Sequence, residues 1–178
     1  MNSMDYTLRC AILALLAATA TATFAAPADD LKEAQRLYAQ GKVPGAMEKV
    51  DAYLKEMPKD TQGRFLKGLL LVEEKKNAEA IQVFTALTEE FPEIPEPYNN
   101  LAVLYAAQGN YDRARAVLEL AIQTNPQYAM AHENLGDIYA HLASRSYDRA
   151  LQLDKGNDSA KAKSAKLKEL TSTQRINP

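Results

Sequence analysis

A single array of stacked repeats is the fold class that the sequence predicts, and three observations carry it. Pro58, Pro92 and Pro126 recur at intervals of 34 residues, a period within the range that marks repeat architectures. Rows of that length starting at Pro27, Thr61, Pro95 and Ala129 place Ala34, Gly68, Ala102 and Gly136 in one column, all small. The 178 residues are 47% apolar and 25% charged, an ordinary globular composition that fits one domain or one array rather than two domains. A formal charge of −2 argues against a nucleic-acid binder, which needs a basic patch.

The N-terminal stretch reads as a targeting segment. Arg9 is followed by nine apolar residues from Cys10 to Ala18, the length of a signal-peptide core. Thr23-Phe24-Ala25 then offers small side chains at the two positions a signal peptidase reads. Residues 1–25 are therefore expected to be removed on export to the periplasm or beyond. The rival reading is a retained anchor, because residues 10–28 are nineteen uncharged residues, near the minimum for a span. Their Ala and Thr content makes a poor one. Cys10 follows Thr7-Leu8-Arg9, which is not a lipoprotein-type run, and after cleavage the chain holds no cysteine for a disulfide or a thiolate metal site.

More columns align along the rows. The eleventh reads Leu37, Leu71, Tyr105, Tyr139; the twentieth reads Ala46, Ala80, Ala114; the twenty-fourth reads Val50, Phe84, Leu118. With Tyr98, Leu101, Ala102, Tyr105, Gly109, Tyr111, Ala114, Leu118, Ala121 and Pro126 in the third row, residues 27 to about 157 resemble the tetratricopeptide repeat, a helix-turn-helix unit. The resemblance implies an all-α, right-handed α-solenoid of about four helix pairs, in rows near 27–60, 61–94, 95–128 and 129–157. The columns are physically sensible in themselves. Small residues at Gly68 and Ala80 let paired helices approach closely, and large ones at Leu71 and Phe84 fill the space beside that contact. Each pair is too small to bury its apolar face alone, so neighbouring rows must stack.

Each row departs from the pattern somewhere. Row one carries Asp30 where a large aromatic is usual and Pro44-Gly45 at the start of its second helix, tolerable in a first turn. Gly109-Asn110 supplies a left-handed helix end in row three, whereas Lys75-Lys76-Asn77 leaves the row-two turn without a glycine. Phe91 to Pro97 holds three prolines and reads as a stiff, acidic connector. Row four is shortened. Matching Ala150-Leu151-Gln152-Leu153-Asp154 to Ala121-Ile122-Gln123-Thr124-Asn125 requires a deletion of five residues at the turn, and nothing in Ala140 to Ser146 breaks a helix. One continuous helix from about 130 to 154 is expected, against the alternative of a tight turn at Ser144-Arg145-Ser146. Its C-terminal half must then find a partner in the tail or in another subunit.

After Asn157, Asp158 or Ser159 is expected to cap a solvating helix that runs to about residue 170 or 171, with Leu167 and Leu170 as its apolar contacts and residues 172–178 as a disordered tail. Residues 155–178 hold six Lys or Arg against two acids, which suggests membrane contact only weakly, because the lysines form no single face opposite apolar anchors.

Catalytic parts are missing. His132 and His141 are nine residues apart and fall on opposite sides of a helix, so they share no metal. Glu133, Asp137 and His141 form a linear strip rather than a closed tetrahedral site. No P-loop, nucleotide glycine fingerprint, HExxH or nucleophile elbow occurs. A non-enzyme without cofactor or metal is the reading.

Binding remains. In the tetratricopeptide family the first helix of each row lines a concave groove, which implies candidate contacts at Phe65, Leu66, Leu69 and Val72 in row two. Row three offers Asn99, Asn100, Val103 and Ala106, and row four Glu133, Asn134, Asp137 and His141. Asn100 and Asn134 share the sixth column, where two amides in register would grip an extended peptide backbone. Leu31, Gln35, Leu66, Glu96 and Asn100 stand where some family members clamp a C-terminal carboxylate with Lys and Arg, so a basic or neutral apolar segment fits better. The expectation is an interaction module of the bacterial cell envelope, an adaptor or assembly factor for another envelope protein. The alternative is a self-associating structural protein that exchanges the fused helix.

Overall fold

The computed structural model describes residues 27–173, and the expected signal peptide, all but the last two residues of its rival anchor and the last five residues of the chain lie outside them. Among these described residues eight helices follow in order: α1 Pro27–Ala39, α2 Val43–Glu56, α3 Thr61–Glu73, α4 Asn77–Glu90, α5 Pro95–Ala107, α6 Tyr111–Thr124, α7 Ala129–Leu153 and α8 Asp158–Thr173. Each packs on the next in sequence, and α1 also touches α3 as α5 touches α7, which is the stacking of a helical solenoid. No described helix is long and apolar enough to cross a membrane.

The helices of the first three pairs meet through the aligned columns. Ala46, Ala80 and Ala114 are fully buried, and so are Val50, Phe84 and Leu118 one turn later. Gly68 shows why the facing position must be small. A Cβ built there would lie 2.6 Å from the Phe84 ring, well inside van der Waals contact. Burying each Leu- or Phe-sized side chain in these clusters contributes about 1.5–3 kcal/mol, more than the hairpins' local preferences supply.

All three hairpins use one turn. Lys42 N–H donates to Leu37 O, Lys76 N–H to Leu71 O and Asn110 N–H to Tyr105 O, each at 2.9 Å, with a left-handed residue just before the donor. Gly41 and Gly109 hold that residue's φ at 70° and 74°, and Lys75 adopts 60° in the same place. Row two therefore closes the same Schellman turn without a glycine, at a cost of about 1 kcal/mol for the crowded Cβ.

Row four does not turn. α7 runs 25 residues without a break, so the tight turn at 144–146 does not form. Its end repeats the end of α6 in detail. The cap residues Asn125 (φ −136°, ψ 95°) and Asp154 (φ −138°, ψ 96°) share one backbone conformation, twenty-nine residues apart instead of 34. Their side chains repeat one bond as well, Asn125 Oδ1 accepting from Gln127 N–H at 3.0 Å and Asp154 Oδ1 from Gly156 N–H at 2.9 Å. The C-terminal half of α7 is thus a second helix in its own register, fused to the first by the loss of five residues.

α8 stands where the first helix of a further repeat would stand, and it is the partner of that C-terminal half. Asn157, rather than Asp158 or Ser159, caps it by accepting from Ala160 N–H at 2.9 Å. The contact face also differs from expectation. Ala160 and Ser164 are buried and Leu167 and Thr171 half-buried, while Leu170 remains 46% exposed. Small residues are required there because Asp148 on α7 comes close, accepting from Ser164 Oγ at 2.7 Å and Lys168 Nζ at 2.8 Å. The helix extends to Thr173, past the expected start of the tail.

Candidate functional site

The first helices α1, α3 and α5 open a cleft on one side of the solenoid. A cavity of about 550 Å³ is lined by Gln35, Thr61, Gln62, Phe65, Leu66, Leu69, Leu87, Ile94, Glu96 and Pro97. A second, of about 280 Å³, adjoins it along Phe65, Leu69 and Glu96 and adds Tyr38, Asn100, Tyr128 and Met130. Together they form an elongated depression with an apolar floor, the shape that takes an extended side-chain-bearing segment.

Local structure fixes the floor. Asp60 caps α3 by accepting from Gly63 N–H at 2.7 Å, which sets the helix start from which Phe65 and Leu69, one turn apart, both face the cleft. The Phe65 ring leans on Phe84 with centroids 5.5 Å apart and planes tilted by 59°, so it is held from below and half-buried. Ile94 and Pro97 come from the proline-rich connector, which is a wall of the cleft and not only a spacer.

Charge enters at one point. Among the described residues lining either cavity, Glu96 is the one carboxylate, and no Lys, Arg or His joins it. It is exposed, and Asn100 Nδ2 donates to its backbone oxygen at 2.9 Å, tying the first turn of α5. Burial, and then the nearby Glu96 carboxylate, raise the Tyr128 phenol above its ordinary value. The cleft therefore carries a weak negative potential over an apolar floor.

The residues expected from the column positions divide. Phe65, Leu66 and Leu69 line the cleft, and Asn100 lines its smaller part. Val72 packs half-buried against the cluster around Phe84, Val103 is half-buried outside either cavity, and Ala106 is built into the core beside Leu118. The expected pair of gripping amides is not formed. Asn134 is fully buried and its Nδ2 donates at 2.8 Å to Oδ1 of Asn99, also fully buried. Asn99 Nδ2 in turn lies 3.6 Å from the Met130 sulfur. A buried amide needs partners inside the protein, and these two supply each other across α5 and α7.

The row-four candidates also fall elsewhere. Glu133 is exposed but lines neither cavity, and Asp137 is 8% exposed, its carboxyl raised chiefly by burial and further by Glu133, with His141 opposing. His141 stacks on Tyr111 at the start of α6, with centroids 4.5 Å apart and planes 9° from parallel. Gln35 apart, Gln62, Ile94, Pro97, Tyr128 and Met130 were not singled out as contacts. Their signal lay in the first columns of each row and in the connector, where the chain enters a first helix.

Comparison with known proteins agrees with this architecture. Two stretches, residues 31–95 and 71–138, match models described as tetratricopeptide repeat. The chloroplastic tetratricopeptide repeat domain-containing protein PYG7 of Arabidopsis thaliana is 30% identical over 82 residues, 43% of this chain and 27% of that protein. The cell division cycle protein 27 homolog A of the same plant is 34% identical over 86 residues, 47% of this chain and 11% of that protein. The chain thus spans well under two thirds of either relative. Among solved structures, a thermophilic repeat protein of Thermus thermophilus aligns with a TM-score of 0.62 and 25% identity over 80% of this chain and 81% of that one. MamA of Desulfovibrio magneticus aligns at 0.57 and 19% over 84% and 77%. An O-GlcNAc transferase of Thermobaculum terrenum aligns at 0.59 and 23% over 66% of this chain but only 22% of the enzyme. With the repeat period, the hairpin contacts and these matches in agreement, the chain belongs to the tetratricopeptide repeat family, whose fold generally mediates protein–protein interaction.

Proposed function

We propose that this protein is a non-catalytic interaction module that holds a segment of a partner protein in the cleft between α1, α3 and α5. The observation that carries the reading is the lining itself, an apolar floor of Phe65, Leu66, Leu69, Ile94 and Pro97 with Glu96 as its single charge. Such a surface favours an apolar segment bearing a Lys or Arg beside Glu96 and disfavours a free carboxylate tail, which would meet a like charge with no cation to receive it. The apolar run from Cys10 to Ala18 and the small residues before Ala26 support export, and hence an adaptor or assembly role in a bacterial cell envelope.

Titration with fluorescent peptides tests the site. An apolar peptide with one lysine should bind, and Glu96→Lys should weaken it by about tenfold or more, as removing an interfacial charge pair and adding repulsion does. Equal affinity for the lysine peptide and its glutamate counterpart contradicts the assignment. N-terminal sequencing of the protein recovered from cells tests export, which requires a new terminus near residue 26.

A further inference from the structure

The fused helix leaves one repeat unclosed, and both halves of the missing contact lie on α7. In rows one to three the eighth column is sealed by the second helix of its own pair. Ala34 and Ala102 are fully buried there, and a Cβ at Gly68 would strike Phe84 at 2.6 Å. In row four that column is Gly136, which is exposed and has no atom within 4 Å of a built Cβ. The eleventh column changes likewise, from Leu71 at 4% exposure to Tyr139 at 48%.

The answering half is on the same helix. In the register set by the matching ends of α6 and α7, Ala114, Leu118 and Ala121 correspond to Ala143, Tyr147 and Ala150. The first three are fully buried against their pair, whereas the last three are only half-buried. α8 does not fill this seat. It takes the place of a following first helix, fixed through Asp148, while Lys163 lies 5.5 Å from the Tyr147 ring centre.

Gly136 and Tyr147 repeat the glycine–aromatic match of Gly68 and Phe84. Eleven residues of straight helix hold them about 16 Å apart, so they meet only between two molecules. His132, Gly136, Tyr139, Ala143, Tyr147 and Ala150 recur at steps of four, three, four, four and three, which makes them one stripe along α7. A stripe that bears a first-helix face at one end and a second-helix face at the other is complementary to itself when antiparallel. We infer that a second copy of this chain docks here, the two α7 helices crossing antiparallel about a two-fold axis with Gly136 of each against Tyr147 of the partner copy. Ala140 and Ala143 lie near the axis and let the backbones approach. This surface is separate from the cleft and does not depend on its proposed ligand.

The contact is one helix stripe, smaller than the roughly 800 Å² per side of a standard stable interface, so the dimer should dissociate in the micromolar range. Sedimentation of the full chain across micromolar concentrations should show mass rising from one copy to two. Gly136→Leu should hold it monomeric with its melting temperature unchanged or raised, since Gly136 is exposed and no atom lies within 4 Å of an added Cβ. In a Cys10→Ser background, Gly136→Cys and Tyr147→Cys proteins should form a disulfide when mixed. Gly136→Cys alone should not, because its two sulfurs would sit about 16 Å apart along the crossing. A monomer at every concentration overturns the inference, and so does a dimer that ignores Gly136→Leu. In a separate Gly136→Cys protein that keeps Cys10, a disulfide between the two cysteines of one chain would give the seat to the N-terminal segment instead, and also overturns it.

Discussion

Gly68 and Gly136 occupy the same column of two repeats, so one substitution in each isolates what the paired helix contributes. At Gly68 an added methyl meets three Phe84 ring atoms at 2.6, 2.6 and 3.2 Å, and Phe84 is itself fully buried with nowhere to retreat. At Gly136 the same methyl meets nothing within 4 Å. Glycine to alanine inside a helix favours folding by about 1 kcal/mol at either site, so that effect cancels in the comparison. What remains is overpacking at Gly68 alone, about 1–3 kcal/mol. Gly136→Ala should stabilise the monomer by up to about 1 kcal/mol, and Gly68→Ala should be less stable than it by the overpacking amount. Urea unfolding followed by circular dichroism, at protein concentrations low enough to keep the chain monomeric, reads both. Equal changes at the two sites would refute the reasoning that row four lacks the helix that seals the other rows.

That comparison also shows what was legible in the sequence. The helix starts at Pro27, Thr61, Pro95 and Ala129 follow a period imposed by contacts within each pair, and those contacts need particular sizes at particular places. The fused fourth pair was legible for the same reason, because five residues are missing where the turn belongs. Lys75 was less legible, since hydrogen bonds on both sides of a turn can force a left-handed conformation that a residue's own preference opposes. The cleft was legible only in part. Column position fixes which way a side chain leaves its helix but not whether a neighbour consumes it, and Asn99 and Asn134 consume each other. Ile94 and Pro97 reach the cleft through the way the connector enters α5, which no periodic pattern encodes.

Three further outcomes follow from single groups. Lys75→Gly should stabilise the protein by about 1 kcal/mol by relieving the left-handed lysine, measured by urea unfolding; a loss would contradict the turn assignment. The Lys168 ammonium, and then the Ser164 hydroxyl, hold the Asp148 carboxyl below its ordinary value. Its contribution to α8 docking is therefore complete above the unfolded-state pKa near 4 and fades as pH falls through the lower folded value, so amide exchange in α8 should accelerate in strong acid before exchange in α3 and α4 does. Asp137 has the opposite sign, because burial raises it and folding is favoured when it is protonated. Asp137→Asn should stabilise the protein at neutral pH and lose that advantage in acid below about pH 4, which thermal melts at the two pH values would show.

The central claim is that the cleft holds a segment of another protein. A photocrosslinking side chain at Gln62, an exposed position on the cleft rim, tests it in living cells, with the attached peptide sequenced by mass spectrometry. The account predicts one discrete foreign segment, apolar with a nearby Lys or Arg, whose capture is lost in Glu96→Lys. Capture of an acidic or carboxylate-terminal segment, or capture that Glu96→Lys leaves unchanged, would contradict it.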